Sequence, residues 1–148
     1  MGDDGWRGRL LWEPVNQLGR LQLKLGEVDR AKRSLEEALR LARAFADPRG
    51  ELAVKANLAA LEQHRGNAAE AFRYLAEALA IARGLVDLGA EARLQYNLGL
   101  LYTKECRWEE SRDAYQECLR LAELRGWREG VVLARDGLRQ VRGEIDDE

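Results

Sequence analysis

His64 is the only histidine of the chain, and Cys106 and Cys118 are its only cysteines. Metal or proton-relay chemistry at His64 needs partners in register, and the sequence offers neither a second histidine nor a Cys-x-x-Cys pair. His64 therefore reads first as a polar residue on a helix face. The two cysteines stand 12 residues apart, with a turn and most of a helix between them. At a rise of about 1.5 Å per helical residue they exceed the roughly 7 Å that a disulfide spans. Free thiols are expected, which fits a reducing cytoplasm. Ser34 and Ser111 are the only serines, and neither sits in a Gly-x-Ser-x-Gly elbow. No Gly-x-x-x-x-Gly-Lys-Ser/Thr loop offers a phosphate cradle. Carboxylate neighbours such as Glu36-Glu37 and Glu109-Glu110 read as solvated helix faces on a chain that is 34% charged. These residues predict no enzyme, no metal and no cofactor.

The elements that carry them are helical. Only 2 prolines occur in 148 residues, and Ala, Leu, Glu and Arg dominate. Lys and Arg total 24 against 26 Asp and Glu, a net charge of −2 that argues against a nucleic-acid partner. No run of about 18 apolar residues is present, so no membrane partner is expected. The opening Met1-Gly2-Asp3-Asp4-Gly5 is acidic without an apolar core, which predicts no secretory leader. At 16.8 kDa the chain has room for one domain.

Self-comparison organises the chain. A shift of 40 residues brings 11–50, 51–90 and 91–130 into register without a gap. Leu18/Leu58/Leu98, Leu21/Leu61/Leu101, Glu37/Glu77/Glu117, Leu39/Leu79/Leu119 and Ala42/Ala82/Ala122 are identical in all three blocks. Others keep size, as in Gly19/Ala59/Gly99, Ala31/Ala71/Ser111 and Leu35/Leu75/Tyr115. A fixed period in this range marks a solenoid. Leucines three and four apart build the first helix of each block, and a stripe such as Ala31, Leu35, Ala38 and Ala42 builds the second. Gly26 and Gly66 suit the left-handed residue that ends a helix, and Asn67 with Glu70 reads as a capping box. Small residues at 19, 59 and 99 and at 31, 71 and 111 predict close approach of paired helices. The expected helices are 10–25, 29–45, 50–65, 69–86, 90–105, 109–125 and 129–142, with the longer loops after the second helix of each pair. An N-terminal extension (1–9), one repeat domain (10–142) and a frayed tail (143–148) follow. Trp12 and Trp108 are expected in packing roles, and Trp6 and Trp127 as covers for the two ends.

The motif Leu98-Gly99-x-x-Tyr102 followed by Ser111-x-x-x-Tyr115 resembles the tetratricopeptide repeat, and so do Leu18-Gly19 with Ala31-x-x-x-Leu35 and Leu58-Ala59 with Ala71-x-x-x-Leu75. The resemblance covers 11–142. The period is 40 rather than about 34 residues, and the proline that closes the usual repeat is absent. This longer form is similar to the repeats of kinesin light chains, spindle-orientation adaptors, and bacterial regulators and signalling ATPases.

The resemblance implies an all-α, right-handed α-solenoid of three helix pairs plus a closing C-terminal helix. It also implies a cytoplasmic, non-catalytic module that binds an extended protein or peptide segment in a concave groove. In those relatives an asparagine before the Leu-Gly pair contacts the peptide backbone. Gln17, Asn57, Asn97 and Gly137 hold that place here, the last as a gap. First-helix positions add Glu13, Asn16, Arg20 and Lys24; Ala53, Ala56, Ala60 and His64; Arg93, Tyr96, Leu100 and Lys104; and Asp136. The implied peptide-binding set is Gln17, Arg20, Lys24, Asn57, His64, Arg93, Tyr96, Asn97 and Lys104. Its basic residues outnumber Glu13 and Asp136, which favours an acidic peptide. The family's clamp for chaperone tails would need Lys, Asn, Asn, Lys and Arg where Asn16, Arg20, Asn57, Arg93 and Asn97 stand, so such tails are not expected. Two alternatives remain. One is a scaffold that forms homo-oligomers through the terminal helices, where Val131, Val132 and Leu133 lack a covering helix. The other is the sensor portion of a larger regulator.

Overall fold

Leucine and alanine rows with helical spacing, punctuated at regular intervals, dictate helices of nearly equal length. The computed structural model describes residues 5–147, and the acidic opening through Asp4 and the final Glu148 lie outside them. Seven helices and no strand occur among the described residues: α1 (Gly5–Lys24), α2 (Val28–Ala44), α3 (Pro48–His64), α4 (Ala68–Gly84), α5 (Leu88–Lys104), α6 (Trp108–Arg125) and α7 (Arg128–Asp146).

Six turns join them, all of one kind. The left-handed residue is Gly26, Ala46, Gly66, Val86, Cys106 or Gly126, at intervals of 20 residues. In each turn the following N–H donates to the carbonyl five residues back, as Glu27 does to Gln22 and Val86's successor Asp87 does to Ala82. This is the Schellman pattern, which satisfies helix-end carbonyls that would otherwise be unpaired. Gly26 and Gly66 take the expected conformation, both at φ 80°. The longer loops expected after the second helices do not form. Asp47 and Asp87 cap the next helix instead, accepting from the N–H of Gly50 at 3.1 Å and of Ala90 at 3.0 Å. Pro48 enters α3 as its first residue, where a missing N–H costs nothing. The capping box at Asn67 is also replaced: its amide donates to Glu62 at 2.8 Å, while Glu70 pairs with Arg73.

The chain falls into two compact units, one ending at Ile81 and the other beginning at Ala82. In the first, Trp12, Ala31, Leu35, Ala38, Ala42, Val54, Leu58 and Leu61 form the core. Gly19 sits on Leu35, and a Cβ there would stand 2.7 Å from the leucine side chain. Trp12 lies against Gly50 and donates its indole N–H to Asp47 at 2.7 Å. Residues 5–9, read from the sequence as an extension, are part of α1; Gly8 seats them on Phe45, where a Cβ would meet the ring-bearing side chain at 2.6 Å.

The leucine rows fail in one place. Leu58 and Leu61 are 2% and 0% exposed, whereas Leu18 and Leu21 of the same rows are 49% and 55% exposed. No helix among the described residues covers these two side chains. In the second unit Tyr115 fills the centre, packed against Gly99 of α5 and Gly137 of α7; a Cβ would approach its ring to 2.5 and 2.6 Å. Ser111 Oγ donates to the Gly99 carbonyl at 2.9 Å, so a small polar residue secures the close α5–α6 approach. Helix α7 continues to Asp146 through the tail read as frayed, and Ile145 is half-buried there.

Candidate functional site

The side chains expected to meet a peptide lie on α1 and α3 in the first unit and on α5 in the second. On α1, Gln17, Arg20 and Lys24 are three and four residues apart, share one face and are exposed. Arg20 and Lys24 make no ion pair among the described residues. On α3, Asn57 is half-buried and its amide donates to Asn16 Oδ1 at 2.9 Å. Asn16 is itself buried. The pair uses one N–H of Asn57 and the oxygen of Asn16. The Asn57 oxygen and the Asn16 NH₂ group take no protein partner among the described residues. The Asn57 oxygen, its second N–H and the Asn16 NH₂ group therefore stay available, an acceptor and donors of the kinds that pair with a peptide group. Sequence reading placed Asn16 on the same helix face without assigning it to the site. The signal was there: Asn16 and Asn57 stand 41 residues apart, one step beyond the repeat. His64 is exposed at the last position of α3, apart from the amide pair.

On α5, Arg93, Tyr96, Asn97, Leu100 and Lys104 follow helical spacing along one face. Asn97 is half-buried, and its side chain makes no hydrogen bond among the described residues. Tyr96 stands 5.9 Å from Tyr115, ring centre to ring centre, tilted by 48°. Arg93 lies over Trp127, its guanidinium 5.4 Å from the ring centre. That contact brings Trp127 into the site. It takes the N-cap place of α7 that Asp47 and Asp87 hold before α3 and α5, but makes no side-chain cap bond. Lys104 is exposed at the end of α5. Gly137, the gap in the asparagine series, is buried under Tyr115, and a side chain there would collide with the ring.

Burial raises the Tyr115 hydroxyl above its ordinary value and pushes the Cys118 thiol up to about 11, so both are neutral packing groups at pH 7. Cys118 is buried and Cys106 exposed, both as free thiols. No group of three His, Cys, Asp or Glu arranged to hold a metal occurs among the described residues. No helix among them is long and apolar enough to cross a membrane.

Paired helices with small residues at the seams, Schellman turns and first helices bearing amides define a helical-hairpin repeat protein, an all-α solenoid. Tetratricopeptide repeat models match residues 50–123 and 14–45. The chain belongs to the tetratricopeptide repeat family. Its fold is similar to that of BtubC (BKLC) from P. vanneervenii, with a TM-score of 0.69 and 18% identity over 95% of this chain. It is also similar to a signal transduction ATPase with numerous domains protein with a tetratricopeptide repeat sensor, from Pyrococcus horikoshii, with a TM-score of 0.83 and 20% identity over 93% of this chain. The chain spans 66% of the first of these and 22% of the second. A search of the curated proteins finds no match.

Proposed function

We infer that this chain is a protein–protein interaction or scaffold module, the role its tetratricopeptide repeats indicate. We propose that it is a non-catalytic, cytoplasmic one, and that the first-helix face of each unit binds an extended, acidic peptide segment. Gln17, Arg20, Lys24, Asn57 and His64 contribute from the first unit, and Arg93, Tyr96, Asn97 and Lys104 from the second. The observation that carries the reading is the set of uncommitted amides. Asparagine is a poor interior helix former, yet Asn16, Asn57 and Asn97 occupy helix interiors with hydrogen-bonding capacity left over. The cations Arg20, Lys24 and Lys104 stand on the same helix faces without ion pairs among the described residues, ready for charge-assisted bonds to carboxylates. Peptides selected from a random library on the purified chain test this by isothermal titration. Replacing Asn57→Ala and Asn97→Ala together is expected to weaken the selected peptides at least about tenfold. Unchanged affinity contradicts the reading.

A second reading rests on α1. Trp6, Leu10, Leu11, Leu18 and Leu21 are all exposed on this helix, and Leu25 is exposed just after it. An apolar face of this kind suits homo-oligomerisation through the helix, or the seat of a neighbouring element in a larger sensor protein. Sedimentation separates these. A sedimentation coefficient that rises with concentration, and falls back in Leu18→Glu/Leu21→Glu, supports homo-oligomers; a concentration-independent monomer removes them.

A further inference from the structure

Helices α6 and α7 enclose a cleft of about 420 Å³ that contains none of the peptide-binding residues named above. Arg112 and Gln116 of α6 and Arg135, Leu138, Arg139 and Arg142 of α7 line it, four guanidinium groups and no carboxylate. The sequence of α7 explains why this face is distinct. Gly130, Ala134, Gly137 and Val141 are its buried residues within the second unit. Val131, Leu138 and Ile145, seven residues apart, form a second row that is only half-buried. Arg128, Arg135 and Arg142, also seven apart, form an exposed row beside it. An apolar row of period seven flanked by a charged row is the pattern by which one helix packs along another. On α7 that seam has no helix on it among the described residues.

The guanidinium groups are loosely held. Arg135 lies 3.5 Å from Glu123 and Arg112 lies 3.6 Å from Asp113; Arg139 pairs with Asp136. Exposed pairs of this kind are worth little and can be exchanged for others. Arg142 makes no ion pair among the described residues.

We propose that the α6–α7 cleft docks an amphipathic helix of a partner protein, apolar along one stripe and acidic along its flanks. The apolar stripe covers Val131, Leu138 and Ile145, and the flanking carboxylates take Arg135, Arg139 and Arg142 in two-pronged hydrogen bonds. Charge selects this occupant over a second copy. The exposed leucine face of α1 is accompanied by Arg7, Arg9, Arg20 and Lys24 against Glu13 alone, so it would bring like charge to the arginine row. A nucleic acid would leave the apolar row without a partner.

The test uses the full chain and a fluorescent designed helix of about three heptads, with leucine at the core positions and glutamate at the flanks. A twin peptide carries lysine in place of every glutamate. Binding of the acidic helix is expected, with the lysine twin at least about tenfold weaker. Arg135→Glu/Arg142→Glu is expected to reverse that preference, and Leu138→Ala to weaken both peptides while keeping it. Asn57→Ala/Asn97→Ala is expected to change neither, which separates this cleft from the peptide-binding faces. Equal binding of the two peptides overturns the proposal. So does an acidic helix indifferent to Arg135→Glu/Arg142→Glu, or a single-stranded RNA that binds more tightly than the acidic helix.

Discussion

Val86 holds a φ of 53° at a turn position that Gly26, Gly66 and Gly126 fill elsewhere. A β-branched residue in the left-handed region crowds its own carbonyl, at a cost of about 1–2 kcal/mol. Its side chain is 76% exposed, so little packing is lost with it. Val86→Gly is therefore expected to stabilise the chain by about 1 kcal/mol after the entropy of the new glycine is deducted. A rise in Tm of about 2–4 °C in thermal unfolding checks this. At this scale the sequence was partly legible. Gly26 and Gly66 announce their turns because only glycine adopts that conformation freely. Ala46, Val86 and Cys106 adopt it under the pull of the helices they join, and nothing in their side chains declares it. Asp47 was equally opaque: beside Pro48 it looks like a loop, yet its carboxylate caps α3 with one oxygen and receives the Trp12 indole with the other.

Lys55 links elements. Its ammonium is buried and stands 3.0 Å from Glu51 on its own helix and 3.0 Å from Glu77 on α4. Arg73 reaches the same Glu77 at 2.8 Å, and Arg43 reaches Glu51 at 3.5 Å. Burial acts to raise the Glu77 carboxyl, but Lys55 and Arg73 outweigh it and hold the group below its ordinary 4.5. A depressed folded value gives stability that is present above the ordinary carboxylate value and lost as pH falls through and below it. The urea midpoint is thus expected to decline from about pH 5 downward. Lys55→Met removes the main cause, so its decline is expected to be shallower, with a loss of about 1 kcal/mol at pH 7, kept small by solvent around Glu77. Equal acid slopes for the two proteins would count against the linkage. The row Glu37/Glu77/Glu117 was visible in the sequence as an identity. Its partners were visible only in part: Arg40 and Arg120 reach it from the same place, three residues on, but the middle repeat has Ala80 there and draws on Lys55 and Arg73 instead.

For the molecule as a whole, the fold was legible because each 40-residue block repeats both helical stripes, and small residues at 19 and 99 leave no other way to pack them. Leu18 and Leu21 show the limit of that argument. A row marks a seam only where a neighbour exists to close it, and periodicity alone does not report which rows are closed. The proposed binding faces were legible as helix positions, while the Asn16–Asn57 amide pair and the stacking of Arg93 on Trp127 depend on contacts between elements distant in sequence. The seven-residue rows of α7 were open to inspection, but they acquire meaning only beside the arginines of the cleft.

Amide hydrogen exchange of the full chain, with and without a selected acidic peptide, puts the central claim to its most direct trial. Slowed exchange is expected in α1, α3 and α5 around Asn16, Asn57 and Asn97, with α2 and the middle of α6 unchanged, and the effect should vanish in Asn57→Ala/Asn97→Ala. Protection concentrated on α2 and α6, or protection that persists in that double variant, would contradict the account.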